Sequence, residues 1–254
     1  MNNKRTRLTI SIITAVVLLA CACPATSLPL LNNQPTPTQI VIPPVIPTQS
    51  IIVPEVPTLV PDPPSNVLLS DNFEAPSDEM ETFSDESGSA ETSGGVYVLR
   101  STGDVWNWGR SESEFPNTII EVDVKLITGP ANNNAGMGVI CRMYTREDTS
   151  IDGYLLAISA DGYYSIRSIS AGSMNPLVDW TYSDVINQGA GDNKIRATCN
   201  NNDLILEVNG VQLATASVIA GGSPTGSIAF SAVSFESAEP VAEIHFDNLL
   251  VTTP

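Results

Sequence analysis

The segment "EVDVKL", residues 121–126, sets two carboxylates and an ammonium at alternate positions. Alternate residues of an extended strand share a face. Glu121, Asp123 and Lys125 therefore point one way, while Ile120, Val122, Val124 and Leu126 point the other. Two carboxyls about 5 to 5.5 Å apart are what retaining hydrolysis of a glycosidic bond requires, and this spacing raises that chemistry. A second row, Glu243, His245 and Asp247, contains the single histidine of the chain. Its side chains have the donor types to chelate a transition metal, but a solvated strand face, with Ala242, Ile244 and Phe246 turned to a core, accounts for the same alternation. No Gly-x-Ser-x-Gly elbow marks a nucleophilic serine, and no glycine-rich loop leads into a helix that could cradle phosphate.

Aromatic residues offer a different chemistry. "DVWNWGR" places Trp106 and Trp108 on one face of an extended segment beside Arg110, "DWTYSD" adds Trp180 and Tyr182, and "DGYY" adds Tyr163 and Tyr164 at a turn. Sugar rings stack their C–H faces on exposed aromatics while Asp, Asn and Arg bind hydroxyls. Trp106, Trp108, Arg110, Tyr163 and Tyr182 are the candidate ligand-binding residues. Trp180 is expected in the core, and the Trp106 and Trp108 pair fits either a binding surface or the core.

The elements that must position these residues are strands. Beyond residue 66 the chain runs in short alternating segments broken by turn residues. "YLLAISADGYYSIRSI" reads as two strands about Asp161 and Gly162, and "LILEVNGVQLATA" as two more about Asn209 and Gly210. Both dipeptides suit the positive φ of type I′ turns. "KIRATC", "SIAFSAVSF" and "AEIHFDNLLV" supply further strands, and no window shows helical periodicity. The expectation is an all-β, antiparallel two-sheet sandwich spanning residues 67–254.

The series "SDNFE", "EVDVKL", "GVICRMY", "YLLAISADGYYSI", "NKIRATCNNNDLILEVNG" and "HFDNLLV" resembles the concanavalin A-like lectin/glucanase superfamily. Within it, the resemblance is to bacterial surface modules related to laminin-G-like domains and to the 3-keto-disaccharide hydrolase domain. It implies a jelly roll, a fold that carries lectins, glucanases, lyases and inert adhesive modules alike. Retaining glucanases of the superfamily carry Glu-x-Asp-x-Glu or Glu-x-Asp-x-x-Glu on one strand. Glu121 and Asp123 match, but the closing acid is replaced by Lys125 in one register and Leu126 in the other. No catalytic residue is assigned, and Lys125 is expected to screen Glu121 and Asp123. The resemblance also implies a structural calcium ion where first and last strands meet, at Asp71 and Asp247 with Asn72 and Asn248 nearby. Polar caps on paired edge strands are the simpler account of those four residues.

The N-terminal region gives the address. "MNNKRTRLTISIITAVVLLACAC" has a basic head, an uncharged stretch over residues 8–20 and then small residues, the layout of a secretory signal. As a helix that stretch covers roughly 20 Å, short of a hydrocarbon core of roughly 30 Å. "LLAC" resembles the bacterial lipobox, which implies diacylglycerol on Cys21 and a signal peptide over residues 1–20. Twelve of the nineteen prolines lie between residues 24 and 64. Residues 21–66 thus read as a lipid-anchored, proline-rich linker in polyproline II, with a reach on the order of 100 Å.

Cys141 and Cys199 form an even pair in an exported domain, which favours a disulfide over two buried thiols. A net charge of −17 repels the closely spaced phosphates of a nucleic-acid backbone, and no nucleic acid is expected as a partner. The expected partners are the membrane, through the N-terminal lipid, and a glycan or extracellular protein on the extracytoplasmic side. Three functions remain: a non-catalytic carbohydrate-binding module, a glycoside-active enzyme of the hydrolase or glucanase type, and a structural or adhesive surface protein.

Overall fold

The computed structural model describes residues 66–218, 224–236 and 241–254. The signal segment, Cys21, Cys23 and all but the last residue of the linker lie outside them. Among the described residues fifteen strands are arranged in two antiparallel sheets. The nine-stranded sheet runs β13 (Val211–Ser217), β12 (Asp203–Val208), β11 (Asn193–Asn200), β6 (Thr118–Thr128), β15 (Ala242–Thr252), β4 (Val96–Ser101), β3 (Gly88–Ser93) and β2 (Phe83–Ser84), with β1 (Val67–Asp71) also paired to β15. The six-stranded sheet runs β10 (Ser173–Tyr182), β9 (Tyr163–Ser170), β8 (Ile151–Ser159), β7 (Ala135–Thr145), β14 (Gly226–Ser234) and β5 (Asn107–Phe115). β1 and β4 meet β15 at opposite ends: β4 pairs with Ala242 to Phe246 and β1 with Leu249 to Thr252.

Binary alternation builds the first sheet. In β6, Ile120, Val122, Val124 and Leu126 are buried while Glu121, Asp123 and Lys125 face outward. In β15, Ala242, Ile244 and Phe246 are likewise buried. Between the sheets, Phe230 of β14 stacks on Phe246 with centroids 4.4 Å apart and planes 5° from parallel. Phe73 and Tyr97 complete this aromatic centre. Burial pushes the Tyr97 hydroxyl well above the usual phenol range, and that hydroxyl donates to the Glu81 carbonyl at 2.6 Å.

The second sheet departs from simple alternation. Ala135 to Met143 of β7 and Leu155 to Ser159 of β8 are buried on both faces, as continuous apolar runs are. Cys141 of β7 is joined to Cys199 of β11 by a disulfide, with Cα atoms 6.6 Å apart, so the bridge ties one sheet to the other. Such a bond belongs to an oxidising, extracytoplasmic compartment. Beside it the buried Arg142, at φ 51° in a bulge of β7, donates to the Asn201 carbonyl at 2.7 Å and to Asn117 Oδ1 at 2.8 Å. Burial holds its pKa below the ordinary arginine value.

The two hairpin expectations divide. Asn209 and Gly210 have φ of 52° and 81°, as a type I′ turn demands. At Asp161–Gly162 only the glycine is positive, at 98°, and its N–H bonds the Ser159 carbonyl at 2.9 Å. The turn is centred one residue earlier, on Ala160 and Asp161, and leaves Gly162 as the left-handed residue that follows it. The type I′ assignment there is corrected: Ala160 is buried and its N–H is held by the Ala135 carbonyl, which moves the reversal toward the core.

Candidate functional site

The outward face of the six-stranded sheet is apolar. Ile140, Met143, Ile151, Leu155, Ala157, Ile169 and Ala229 form a buried cluster separate from the inter-sheet core, and Trp106, Trp108, Met174 and Trp180 pack on it half-buried. In a two-layer sandwich this face would meet water, and burying it under rings recovers roughly 25 cal/mol per Å² of apolar surface. Trp108 stands on β5 and Trp180 on β10, the two opposite edges of the sheet. Yet Trp106 and Trp180 both pack edge-on against Phe235, at 5.7 Å and 5.6 Å between centroids. Walls rising from opposite edges and meeting on one ring make the face a trough.

A groove of about 490 Å³ in this trough is lined by Trp106, Trp108, Trp180, Phe235, Arg167 and Asp104, among others. A second groove of about 290 Å³ shares Trp180 and Phe235 and adds Tyr163, Asn134, Ser159 and Asp161. Tyr163 and Tyr182 form an edge-on pair, 5.6 Å apart. Phe235 is fastened in place: its N–H donates to the Asn134 carbonyl at 3.0 Å, and the next carboxylate, Glu236, accepts from Asn132 Nδ2 at 2.7 Å and Asn134 Nδ2 at 3.2 Å. Those two amides hold the Glu236 carboxyl below its ordinary pKa. Gly136 lies beneath, where an added Cβ would come within 3.0 Å of the Phe235 ring. Ser231, opposite both Trp108 and Gly138, is fully buried, and its hydroxyl has no hydrogen-bond partner.

The structure brings together Trp106 and Trp108, with Tyr163 and Tyr182 at the adjoining end of the same face. Arg110 stands away from the groove, exposed, with its guanidinium 3.7 Å from Glu81 and donating to Thr145 Oγ1 at 3.2 Å. Trp180 is the main departure from expectation. Val178 packs on the inter-sheet core, and strict alternation would send Trp180 there too. The pairing of β10 with β9 slips between Val178 and Thr181, and this irregularity turns Trp180 outward. Sequence reasoning also missed Arg167 and Phe235. Alternation along β9 from Tyr163 could have placed Arg167 on this face, but no local signal marks Phe235.

The outward face of the nine-stranded sheet is polar and paired. Arg196 bridges Glu121 at 2.9 Å and Glu207 at 2.6 Å. Asp123 bonds Lys194 at 2.6 Å and Asn248 Nδ2 at 2.9 Å. Lys125 reaches Asp192 at 2.9 Å; it does not screen Glu121 and Asp123, whose cations come from β11. His245 Nε2 lies 2.9 Å from Glu243 Oε1, and Glu243 Oε2 accepts from Arg100 at 2.7 Å. Burial raises the Glu243 pKa, but the hydrogen bonds from Arg100 and His245 outweigh it and leave the carboxyl below its usual value. That is the direction opposite to what a general acid needs. A groove of about 430 Å³ here holds Asp123, Lys125, Lys194, His245 and Asp247.

The four residues considered for calcium have separate partners. Asp71 accepts from the Phe73 N–H at 2.8 Å and the Ser77 hydroxyl at 2.6 Å, and it does not line the groove in which Asp247 stands. Asn72 accepts from the Glu74 N–H, Asn248 donates to Asp123, and Asp247 accepts from the Asn248 N–H. Among the described residues no three His, Cys, Asp or Glu side chains gather as a metal site.

No protein-family model matches the chain, and no curated protein matches it in sequence. Solved structures match it in shape. A prokaryotic β-1,3-1,4-glucanase (lichenase) derived from a mouse hindgut metagenome aligns with a TM-score of 0.56 at 12% identity, covering 73% of this chain and 98% of that one. A Bacillus subtilis protein with a galectin-like fold aligns at 0.55 and 10% identity, covering 74% and 96%. Bacillus licheniformis β-glucanase aligns at 0.51 and 14% identity, covering 73% and 97%. At such identities the likeness shows the fold alone. The domain shares the two-sheet β-sandwich fold of these glucanase and galectin-like structures.

Proposed function

We propose that the sandwich is a non-catalytic carbohydrate-binding module, carried outside the cell on a lipid at Cys21 and a linker over residues 21–66, with the binding domain at 67–254. The observation that carries the reading is the row Trp106, Phe235 and Trp180 across a groove of about 490 Å³. Half-buried aromatic faces next to a few polar groups are the chemistry that holds a sugar ring by its C–H face and its hydroxyls. Binding without turnover is supported by the opposite face, where Glu121 and Asp123 are matched by Arg196 and Lys194.

The test is a glycan panel scored for both retention and product. The full chain is expected to be retained on at least one polysaccharide without releasing sugar, and a Trp106→Ala, Trp108→Ala double variant should weaken retention roughly a hundredfold. Release of oligosaccharide would replace the reading by an enzyme, and retention untouched in the double variant would move the site elsewhere. The anchoring half is separate. Cys21→Ser is expected to abolish fatty-acid labelling; persistent labelling would refute it.

A further inference from the structure

The cations of the domain are consumed by its own carboxylates, with one exception at the groove. Arg100, Arg110, Lys125, Arg146, Lys194 and Arg196 each lie within ion-pair distance of an Asp or Glu. Arg142 is buried and held by carbonyl and amide oxygens. Arg167 alone among the described residues is a half-buried but accessible guanidinium without a carboxylate partner. In a chain with 28 acidic residues against 11 basic ones, a cation left unmatched is the rare arrangement. Its carbon lies 5.9 Å from the Trp180 ring centroid, and one of its N–H groups reaches Ser165 Oγ at 3.3 Å. The contact with Trp180 and the bond to Ser165 hold the guanidinium beside the ring while most of its five donors stay free, the fork that binds a carboxylate or sulfate through two parallel hydrogen bonds.

We infer that the groove selects acidic saccharides, with Arg167 binding an anionic group, a carboxylate or a sulfate ester, on a sugar ring packed against Trp180 and its neighbours. This rests on the carbohydrate-binding reading of the same groove. Asp104, at the groove lining, and Asp161, in the adjoining groove and already bonded to Ser159, repel an anion. The acidic group is therefore directed to the Arg167 side, and Asp104 is left to accept sugar hydroxyls. Ser165 and Trp180 position the guanidinium.

The experiment compares matched pairs on the full chain: oligogalacturonate with its methyl ester, sialyl-lactose with lactose, and a sulfated galactan with its desulfated form. At least one acidic member is expected to bind roughly tenfold to a hundredfold more tightly than its neutral partner. Arg167→Ala should erase that preference, and Arg167→Lys should restore only part of it, because an ammonium lacks the planar fork. Preference in the first two pairs identifies carboxylate, and preference in the third identifies sulfate. Equal binding of neutral and acidic members, or a preference that survives Arg167→Ala, overturns the inference and leaves the carbohydrate reading intact. Retention of none of the six probes overturns the acidic selection, while retention on any other polysaccharide of the wider panel keeps the carbohydrate reading; failure there removes both.

Discussion

On the outward face of the nine-stranded sheet, Glu207, Arg196 and Glu121 stand side by side across β12, β11 and β6. On that of the six-stranded sheet, the corresponding positions of β7 and β8 carry Ile140, Leu155 and Ala157, buried beneath tryptophans. Both sheets contribute the same kind of inner face to one core. The first finishes its exterior with ion pairs that water also solvates. The second finishes it with rings, so that side chains outside the sandwich are as buried as those inside. On a surface of the first kind Glu121, Asp123, Glu207 and Glu243 are each matched by a cation. The second leaves aromatic faces, one guanidinium and one buried hydroxyl unmatched, which is why the proposed binding site lies there.

This contrast can be broken or sharpened by substitution. The largest effect is expected from cutting the tie between the sheets. A Cys141→Ser, Cys199→Ser variant removes a cross-link spanning 58 positions and should lose about 4 kcal/mol on the chain-entropy model, read from denaturant unfolding. Next comes the apolar exterior. Leu155, fully buried outside the sandwich, should cost about 3 kcal/mol when changed to Ala, as an inter-sheet residue would; a cost below about 1 kcal/mol would mean that the rings do not cover it. Smaller is Arg196→Ala on the other face. Its partners are partly exposed, and the loss should stay within about 1 kcal/mol, with glycan retention unchanged.

The smallest effect is electrostatic. Glu243 has its pKa lowered in the fold, so its contribution is complete above its ordinary value of 4.5 and disappears as the pH falls through the lower folded value. Unfolding of the wild type and Glu243→Gln, compared from pH 7 to 3, should differ by a constant amount of under about 1 kcal/mol at neutral pH and converge in acid. A gap that widens below pH 4.5 would contradict the assignment of Arg100 and His245 as its partners.

Much of the fold was legible because strand alternation is a local property. Ile120 to Leu126 and Ala242 to Phe246 declare their buried sides residue by residue, and Asn209–Gly210 declares its turn. The pairing of Cys141 with Cys199 followed from number and compartment. What escaped depends on registers between strands. The outward turn of Trp180 arises from a slip against β9, and no spacing within "DWTYSD" encodes it. Lys125 finds Asp192 because β11 lies beside β6, a neighbour about 70 residues away in sequence. Arg167 gains its meaning only from the carboxylates that are missing around it. Phe235 reaches the groove because Asn132 and Asn134 clasp the residue after it.

The chain contains three tryptophans, and Trp106, Trp108 and Trp180 all line one groove. Its intrinsic emission therefore carries almost no background from the rest of the molecule. A saccharide settling on those indoles would change the colour and intensity of the whole signal, and a quencher in solution would report how much of the trough is vacant. The molecule is its own optical gauge of occupancy, usable without label, immobilisation or any knowledge of which sugar is being offered.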